Sequence, residues 1–457
     1  MNPTRRILAA LALAVLVAAG CSSSNDATDI ADPDTTTAAP DLTESEPVDE
    51  PDPAEPEPTE MTVAAEPVEL TASFRGVTED IIRVGVVAVD FDRLAEAGVQ
   101  INTGDAGAVY TAALEAINDR GGIHGRQLEI TTETYLPIGN TEADEACVRL
   151  TEDIEVFIVV GLIRLDQVLC YTEANNTAAI TISQQNQQRI DRSTAPYVSV
   201  RGRTDTRSVE WVDAMAAAGV FDGETVGVLG LTDADEELFN ETVAALRAAG
   251  IDPVEGLVGP NGGDVVANQA NVEVVLEKFR SEGVTVTVHA SPTSGGLEAA
   301  ARASYETTWL ANPAIGANTL TAGGVDHSYV DGMLSLLPAA VGTVDQPAMA
   351  DDPAVAECVA MIEERTDELV DFALDAEIGN VGLAINACGA ATIFELALTA
   401  AGPNLTNDTL TAALAGLGEF DMAGFPSASL GPDDYAATGA GELARFSAAD
   451  AAWEFVS

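Results

Sequence analysis

The sequence predicts an α/β protein of two doubly wound, Rossmann-like lobes, and three observations carry that prediction. Strand-like and helix-like segments alternate along the chain from residue 80 onward. The alternation comes as two separate series, each long enough to build a parallel sheet with helices on both faces. The strands read as near-continuous β-branched runs, the pattern of a strand buried on both sides.

Residues 81–89 (IIRVGVVAV) are the first such run. Residues 106–118 repeat apolar side chains at helical spacing and stop at Gly121-Gly122, a helix-ending pair. A strand over 127–133, a helix over 142–151 and strands over 156–161 and 179–183 complete the first series. The second begins after a short strand at 197–200, with a helix over 208–218, a strand over 225–231 and a helix over 236–249. It continues with a helix over 272–281, a strand over 284–289 and a helix over 297–303. The last third is less regular: a strand over 333–337, helices over 354–365 and 381–400, and short strands near 418–421 and 443–446. Two long helices after one strand cannot make a lobe alone, so they are expected to cover the sheets already built.

Ahead of this body lies a different kind of sequence. Arg5 and Arg6 precede an apolar run over 7–19, which is shorter than the about 20 residues a membrane-spanning helix needs. A basic start, a short apolar core and small residues before a cysteine make an export signal over 1–20. Ala18-Ala19-Gly20-Cys21-Ser22 resembles the lipobox of bacterial lipoproteins, which implies that Cys21 becomes the first mature residue and carries a diacylglycerol. The protein is then expected on the extracytoplasmic face of the cell membrane, held by lipid. Residues 22–76 hold 15 acids and no base before Arg75, with little apolar surface to offset the cost of ordering, and read as a disordered, extended tether.

The remainder, from Val77, carries 59 acids against 17 bases, and Lys278 is the only lysine. Such a surface repels nucleic acid and anionic headgroups, and speaks to solubility rather than to the ligand. No later stretch reads as a membrane span. With Cys21 lipidated, Cys147, Cys170, Cys358 and Cys388 remain, and four thiols allow three pairings. The local one, Cys147 with Cys170 and Cys358 with Cys388, closes two loops of similar length and is the expected one. A metal site is not expected, because no cysteines are closely paired and His124, His289 and His327 are far apart.

The segment Ala116-Ile-Asn118-Asp-Arg-Gly121-Gly122-Ile123-His-Gly125-Arg126 resembles the substrate-binding proteins of ABC importers, in the branch that includes the branched-chain amino-acid binding proteins. Glu145-Ala-Cys147, Val156 to Gly161, Cys170, Ala195 to Arg201 and Asp331-Gly332-Met333 follow the order of that family. The resemblance implies the type I periplasmic binding protein fold, in which a three-segment hinge joins the lobes and hinge motion closes them on a ligand. It places the crossings near 201–204, 332–336 and 420–431. Lobe I would then be 77–202 with 336–424, and lobe II 203–335 with 425–457. Partners implied are a small-molecule solute, an ABC permease and its ATPase, with the protein acting as a monomer, without a cofactor.

In open α/β sheets, ligands bind beyond the carboxyl ends of the strands. That rule selects Asp90, Phe91 and Asp92 after the first strand, Arg164, Leu165 and Asp166 after the third, and Gln184, Gln185 and Asn186 after the fourth. In lobe II it selects Asp233, Asp235, His289, Ser291 and Thr293. Amino-acid binders of the family usually carry Ser- or Thr-rich turns where this chain has Arg164, Asp166 and the amides, so leucine specificity does not transfer. An arginine grips a carboxylate and amides read polar groups, so the expected solute is small and polar: amino-acid-like, amide or carboxylate. Arg164 has a competing structural reading as an ion pair with Asp166 or Asp92. No nucleophile elbow, zinc helix or phosphate loop points to catalysis, so an enzyme is not expected. A ligand-sensing receptor lipoprotein using the same closure is the alternative, and a neighbouring permease and ATPase would favour transport.

Overall fold

A computed structural model describes residues 70–96, 104–137, 139–183, 185–231, 236–258, 265–291, 294–313, 315, 320, 324–337, 351–370, 381–439 and 441–456. The signal, Cys21 and the tether up to residue 69 lie outside them, as do Gln184, Asp233, Asp235 and Thr293.

The first series folds as β1 (Ile81–Val89), α1 (Phe91–Glu96), α2 (Ala106–Asp119), β2 (Gln127–Tyr135), α3 (Thr141–Val148), β3 (Ile158–Gly161), β4 (Ala178–Thr181), α4 (Gln187–Arg192) and β5 (Tyr197–Ser199). Its five strands form one parallel sheet in the order β2-β1-β3-β4-β5. The unbroken apolar run of β1 is explained by what covers it. Val84, Val86 and Ala88 point into one core and Val87 and Val89 into another, on the opposite face.

The second series gives α5 (Thr204–Ala217), β6 (Val226–Gly230), α6 (Glu236–Ala248), β7 (Val254–Leu257), α7 (Val265–Glu282), β8 (Val286–His289), α8 (Gly295–Arg302), β9 (Thr308–Ala311) and β10 (Leu334–Leu337). After them come α9 (Pro353–Arg365), α10 (Val381–Ala400), α11 (Asn407–Ala415), β11 (Gly418–Met422), β12 (Phe425–Leu430), β13 (Glu442–Ser447) and β14 (Ala452–Phe455). The second sheet has seven strands, β14-β13-β10-β9-β8-β6-β7, with β13 and β14 antiparallel at one edge. Two lobes of mixed α/β structure with parallel sheets are therefore present, as expected.

Several details differ from the sequence reading. β7 and β9 were not expected; each is four residues long and carries polar or glycine positions (VEGL and TWLA), too little pattern to stand out. β10 pairs with β9 and β13, so Leu336 and Leu337 lie with the second sheet. The second crossing then falls outside the described residues. Residues 425–437, assigned above to lobe II, lie with lobe I: Phe425, Ala428, Leu430 and Ala437 join its core, and Ser199 N donates to Tyr435 O while Ala437 N donates to Ser199 O, both at 2.9 Å. The third crossing thus follows Ala437. Finally, α10 is long and apolar enough to cross a membrane, contrary to the reading that no later stretch is, but 78% of its apolar window is buried. It lies over lobe I against α2, β3 and β4, which is why it is apolar all round.

The Ile-Asn-x-x-Gly-Gly-Ile-x-Gly-Arg segment shows its purpose residue by residue. Asn118 uses its side chain as a strand would, donating Nδ2 to Leu128 O at 3.0 Å and accepting Leu128 N on Oδ1 at 2.6 Å. Gly122 N closes the helix on Ile117 O at 2.9 Å, and Ile123 is buried. Arg126 has no exposed surface and donates to three backbone carbonyls: Thr78 at 2.6 Å, Pro403 at 2.9 Å and Thr71 at 3.0 Å. It ties the start of β1 to the chain after α10. Arg126→Met should therefore cost about 3 kcal/mol, because three charge-assisted hydrogen bonds to part-buried carbonyls are lost together. Urea denaturation measures this, and a loss under about 1 kcal/mol would show that water replaces the guanidinium.

Two disulfides pin the same lobe. Cys147, in α3, is bonded to Cys170, and Cys358, in α9, to Cys388, in α10. This is the local pairing.

Candidate functional site

The carboxyl ends of the first sheet's strands face α6 of the second lobe across a cavity of about 1080 Å³. Pro137, Arg164, Asp166, Asn186 and Arg189 line it from one side, Glu236, Glu237, Asn240 and Glu241 from the other. Its polar lining follows from position: loops at strand ends and the first turns of helices leave backbone groups unpaired, and polar side chains satisfy them.

The structure brings some predicted residues to this cavity. Arg164 reaches it and donates Nη1 to Pro137 O at 3.3 Å, so among the described residues neither Asp166 nor Asp92 pairs with it. Leu165, at φ 45°, starts the short turn that presents Asp166. Asn186 caps α4, its Oδ1 accepting Arg189 N at 3.0 Å. Gln185 is fully buried; its Nε2 donates to Tyr197 O at 2.7 Å, and its Oε1 has no hydrogen-bond partner among the described residues.

Others are used elsewhere. Asp90 caps α1 by accepting Arg93 N at 3.0 Å, Phe91 packs against the core and Asp92 is exposed. Next to them Arg93 grips Glu142 bidentately at 2.8 and 2.7 Å, holding the Glu142 carboxyl down to about 2. This corner is closed on itself and does not line the cavity. His289 is fully buried on the second sheet, edge-on to Trp309, with Nδ1 3.2 Å from Ser291 O. Burial pushes its pKa down to about 4, so it is neutral and part of the core. Ser291 is likewise fully buried.

The residue that dominates the site was not foreseen. Arg189 is only 3% exposed and joins the two lobes. Its Nε donates to Asp166 Oδ1 at 2.9 Å, its Nη1 to Glu237 Oε1 at 2.8 Å, and its Nη2 to the other Glu237 oxygen. Burial is the largest single influence and lowers its pKa, but Glu237, Tyr197 and Asp166 together outweigh it and the net shift is upward. The only local hint was Asn186 three residues ahead, a cap that starts a short helix; Glu237 is 48 residues away in sequence.

Glu241, one turn beyond Glu237, is the cavity's titrating group. Burial pushes its carboxyl up to about 7, and nearby Glu237 and Asp205 add to the rise, while hydrogen bonds with Thr204 and Asn186 oppose it. A folded pKa above the unfolded one means that stability is greatest at low pH and is lost as pH rises through about 7. Glu241→Gln should remove this cost. At pH 8 the variant should gain about 2 kcal/mol on the wild type, allowing for partial exposure, with the gap narrowing toward pH 5. Denaturation of both proteins at the two pH values checks it; a gap independent of pH would mean Glu241 is ionised throughout.

A sequence profile of the periplasmic binding proteins matches residues 98–450. No match is found among curated proteins. Among solved structures the chain is similar to a possible leucine/isoleucine/valine-binding protein from Rhodopirellula baltica SH 1, at 17% identity and a TM-score of 0.60 over 83% of this chain and 96% of that one. It is similar to an ABC-transporter solute-binding protein from R. palustris in complex with 4-hydroxybenzoate, at 13% identity and a TM-score of 0.61 over 83% and 96%. It is also similar to a fatty acid ABC transporter substrate-binding protein from Thermomonospora curvata, at 14% identity and a TM-score of 0.58 over 84% and 93%.

Proposed function

Because this chain belongs to the periplasmic binding protein family, we propose that it captures a small polar solute between its lobes and delivers it to the permease and ATPase of an ABC importer. The observation that carries this reading is the polar cavity of about 1080 Å³ bounded by both lobes and spanned by the Arg189 to Glu237 contact. A cavity of that size has room for a solute of amino-acid or aromatic-acid dimensions and for larger ones. Arg164 and Asn186 are the lobe I contacts we assign to it, with Asn240 and Glu241 facing them from lobe II. The similar structures carry ligand names as different as a branched-chain amino acid, 4-hydroxybenzoate and a fatty acid, all of which contain a carboxylate. An amino-acid-like or carboxylate solute is the reading that both the lining and those names support.

Native mass spectrometry of the purified protein tests it. A retained small molecule that is lost in Arg164→Ala, with the melting temperature of the empty protein unchanged, is the expected result. Failure to retain or bind any member of an amino-acid and organic-acid panel would overturn it.

We further propose that Cys21 is lipidated and that the acidic segment after it holds the protein on the outer face of the membrane, working as a monomer. Cys21→Ser should abolish incorporation of labelled fatty acid in cells, and unchanged labelling would refute the anchor.

A further inference from the structure

α6 turns Glu237 and Glu241, one helical turn apart, toward the cavity, and the two carboxylates are served differently. Glu237 takes both outer nitrogens of Arg189 across the cleft. Glu241 is half-buried, and its Oε2 is shielded from solvent without a hydrogen-bond partner among the described residues.

The charges on the elements packed around Glu241 leave it no spare cation. Arg189, on α4, is committed to Glu237 and to Asp166 in the turn after β3. On α5, which packs along α6, Asp205 holds Arg203 with both oxygens, at 3.0 and 2.6 Å, and its Oδ2 also accepts Gln187 N at 3.1 Å. β6 carries no charged residue, and Glu255 of β7 pairs with Arg247 in the last turn of α6. Arg164, Asp144 and Glu236 line the same cavity, with Arg164 donating to Pro137 O. The two charged neighbours that act on Glu241 are therefore both acids, Glu237 and Asp205.

The wall that faces Glu241 across the cavity belongs to lobe I. Asn186 stands there with its Oδ1 already accepting Arg189 N at 3.0 Å, so only its Nδ2 is left to donate to Glu241. A single amide donor does not offset the loss of water around a carboxylate beside two acids. Parting of the lobes withdraws Asn186 and Arg189 and lets water reach Glu241. The cost of its charge is thus a cost of the closed form.

We propose that Glu241 and the Arg189 to Glu237 contact form a proton-dependent latch: the lobes close with Glu241 protonated, and the proton returns to water when they part. The neutral carboxyl keeps an oxygen to accept from Asn186, while Arg189 stays with Glu237. A group whose pKa is higher in the closed form than in the open one favours closure below that value, and the effect is lost as pH rises through it, here about 7. Closure should then be at least about tenfold more favourable at pH 5.5 than at pH 8. The latch goes beyond solute capture, and its test uses no solute, so failure of the proposed solute class leaves it standing.

The test is a carboxyl titration by NMR of the mature protein with 13C-labelled glutamate, with small-angle scattering on the same samples at pH 6. Glu241→Gln identifies the Glu241 signal by its loss. In the wild type that signal should titrate near 7. In Arg189→Met, which takes away the contact between the lobes, the radius of gyration should grow and the same signal should fall to the ordinary carboxylate range. An expanded Arg189→Met protein in which Glu241 still titrates near 7 would show that lobe II alone buries it, and would overturn the latch. So would an Arg189→Met protein as compact as the wild type, or a wild-type Glu241 that titrates in the ordinary carboxylate range.

Discussion

Arg189→Met should open the cleft. The guanidinium bridges Asp166 on lobe I and Glu237 on lobe II, and it is buried at 3% exposure. Asp166 is mostly solvated, with 68% of its side chain exposed, so its pairing contributes little; Glu237, at 28%, carries the contact. Removing the cation leaves Glu237 partly desolvated against Asp166 and the neighbouring Glu241, an unpaired arrangement that costs about 3 kcal/mol in the closed geometry. In the open geometry the same carboxylates return to water at no cost. The whole penalty therefore falls on closure, and the closed population should drop about a hundredfold. Each lobe keeps its own sheet and core, so the melting temperature should move little. Small-angle scattering of the ligand-free protein separates the outcomes: the variant should show a larger radius of gyration than the wild type at low salt, and high salt should bring the wild type part of the way toward it. Identical profiles would mean that the Arg189 contacts do not hold the lobes together.

The contrast between Arg189 and β1 shows what a sequence of this kind reveals. The β1 run declares itself because its pattern depends only on how many faces are buried, and both are. The Asn118 to Arg126 segment is legible for a similar reason, since its partners Leu128 and Ile117 are near in sequence and its acceptors are backbone groups. The disulfides join neighbouring helices and so follow the order of the chain. Arg189 gave no such signal. Its role arises from Glu237 on another sheet's helix, and in a chain with 74 acids no single acid stands out as its partner. The strand-end rule picked out two loops that border the cavity, those of Arg164 and Asn186, and others that do not. Asp90 turned to cap a helix and His289 turned into the core, choices set by the next element in each case. The crossings were misplaced where β12 continues lobe I for a dozen residues beyond the expected switch, a decision made by Ser199 pairing with the Tyr435 to Ala437 stretch 236 or more residues away.

Gly161→Ala should be among the most damaging single methyls in lobe I. Gly161 ends β3 at φ +137°, a conformation that L side chains rarely adopt. It pairs with Val87 at the centre of the sheet, and a Cβ there would stand 2.1 Å from Val87 O, with the Val87 carbonyl carbon and amide nitrogen at 3.1 and 3.2 Å. All three atoms are backbone of β1, which is itself held on its other edge by β2, so nothing flexible is available to yield. Positive-φ strain and overpacking each cost about 1 to 3 kcal/mol, and here they act at one atom, giving about 4 kcal/mol together. The sheet's escape is to move β3 away from β1, which breaks the bond from Leu162 N to Val87 O at 2.9 Å. Leu162 opens the loop that carries Arg164 and Asp166, so the damage should reach the cleft as well as the core. Urea denaturation should show the stability loss, while the scattering profile should change little, because Glu237 rather than Asp166 carries the Arg189 contact across the cleft. A variant with wild-type stability would mean that β3 can shift along β1 without breaking the pairing that fixes this loop; lobes that open in scattering would mean that Asp166 matters to the contact after all.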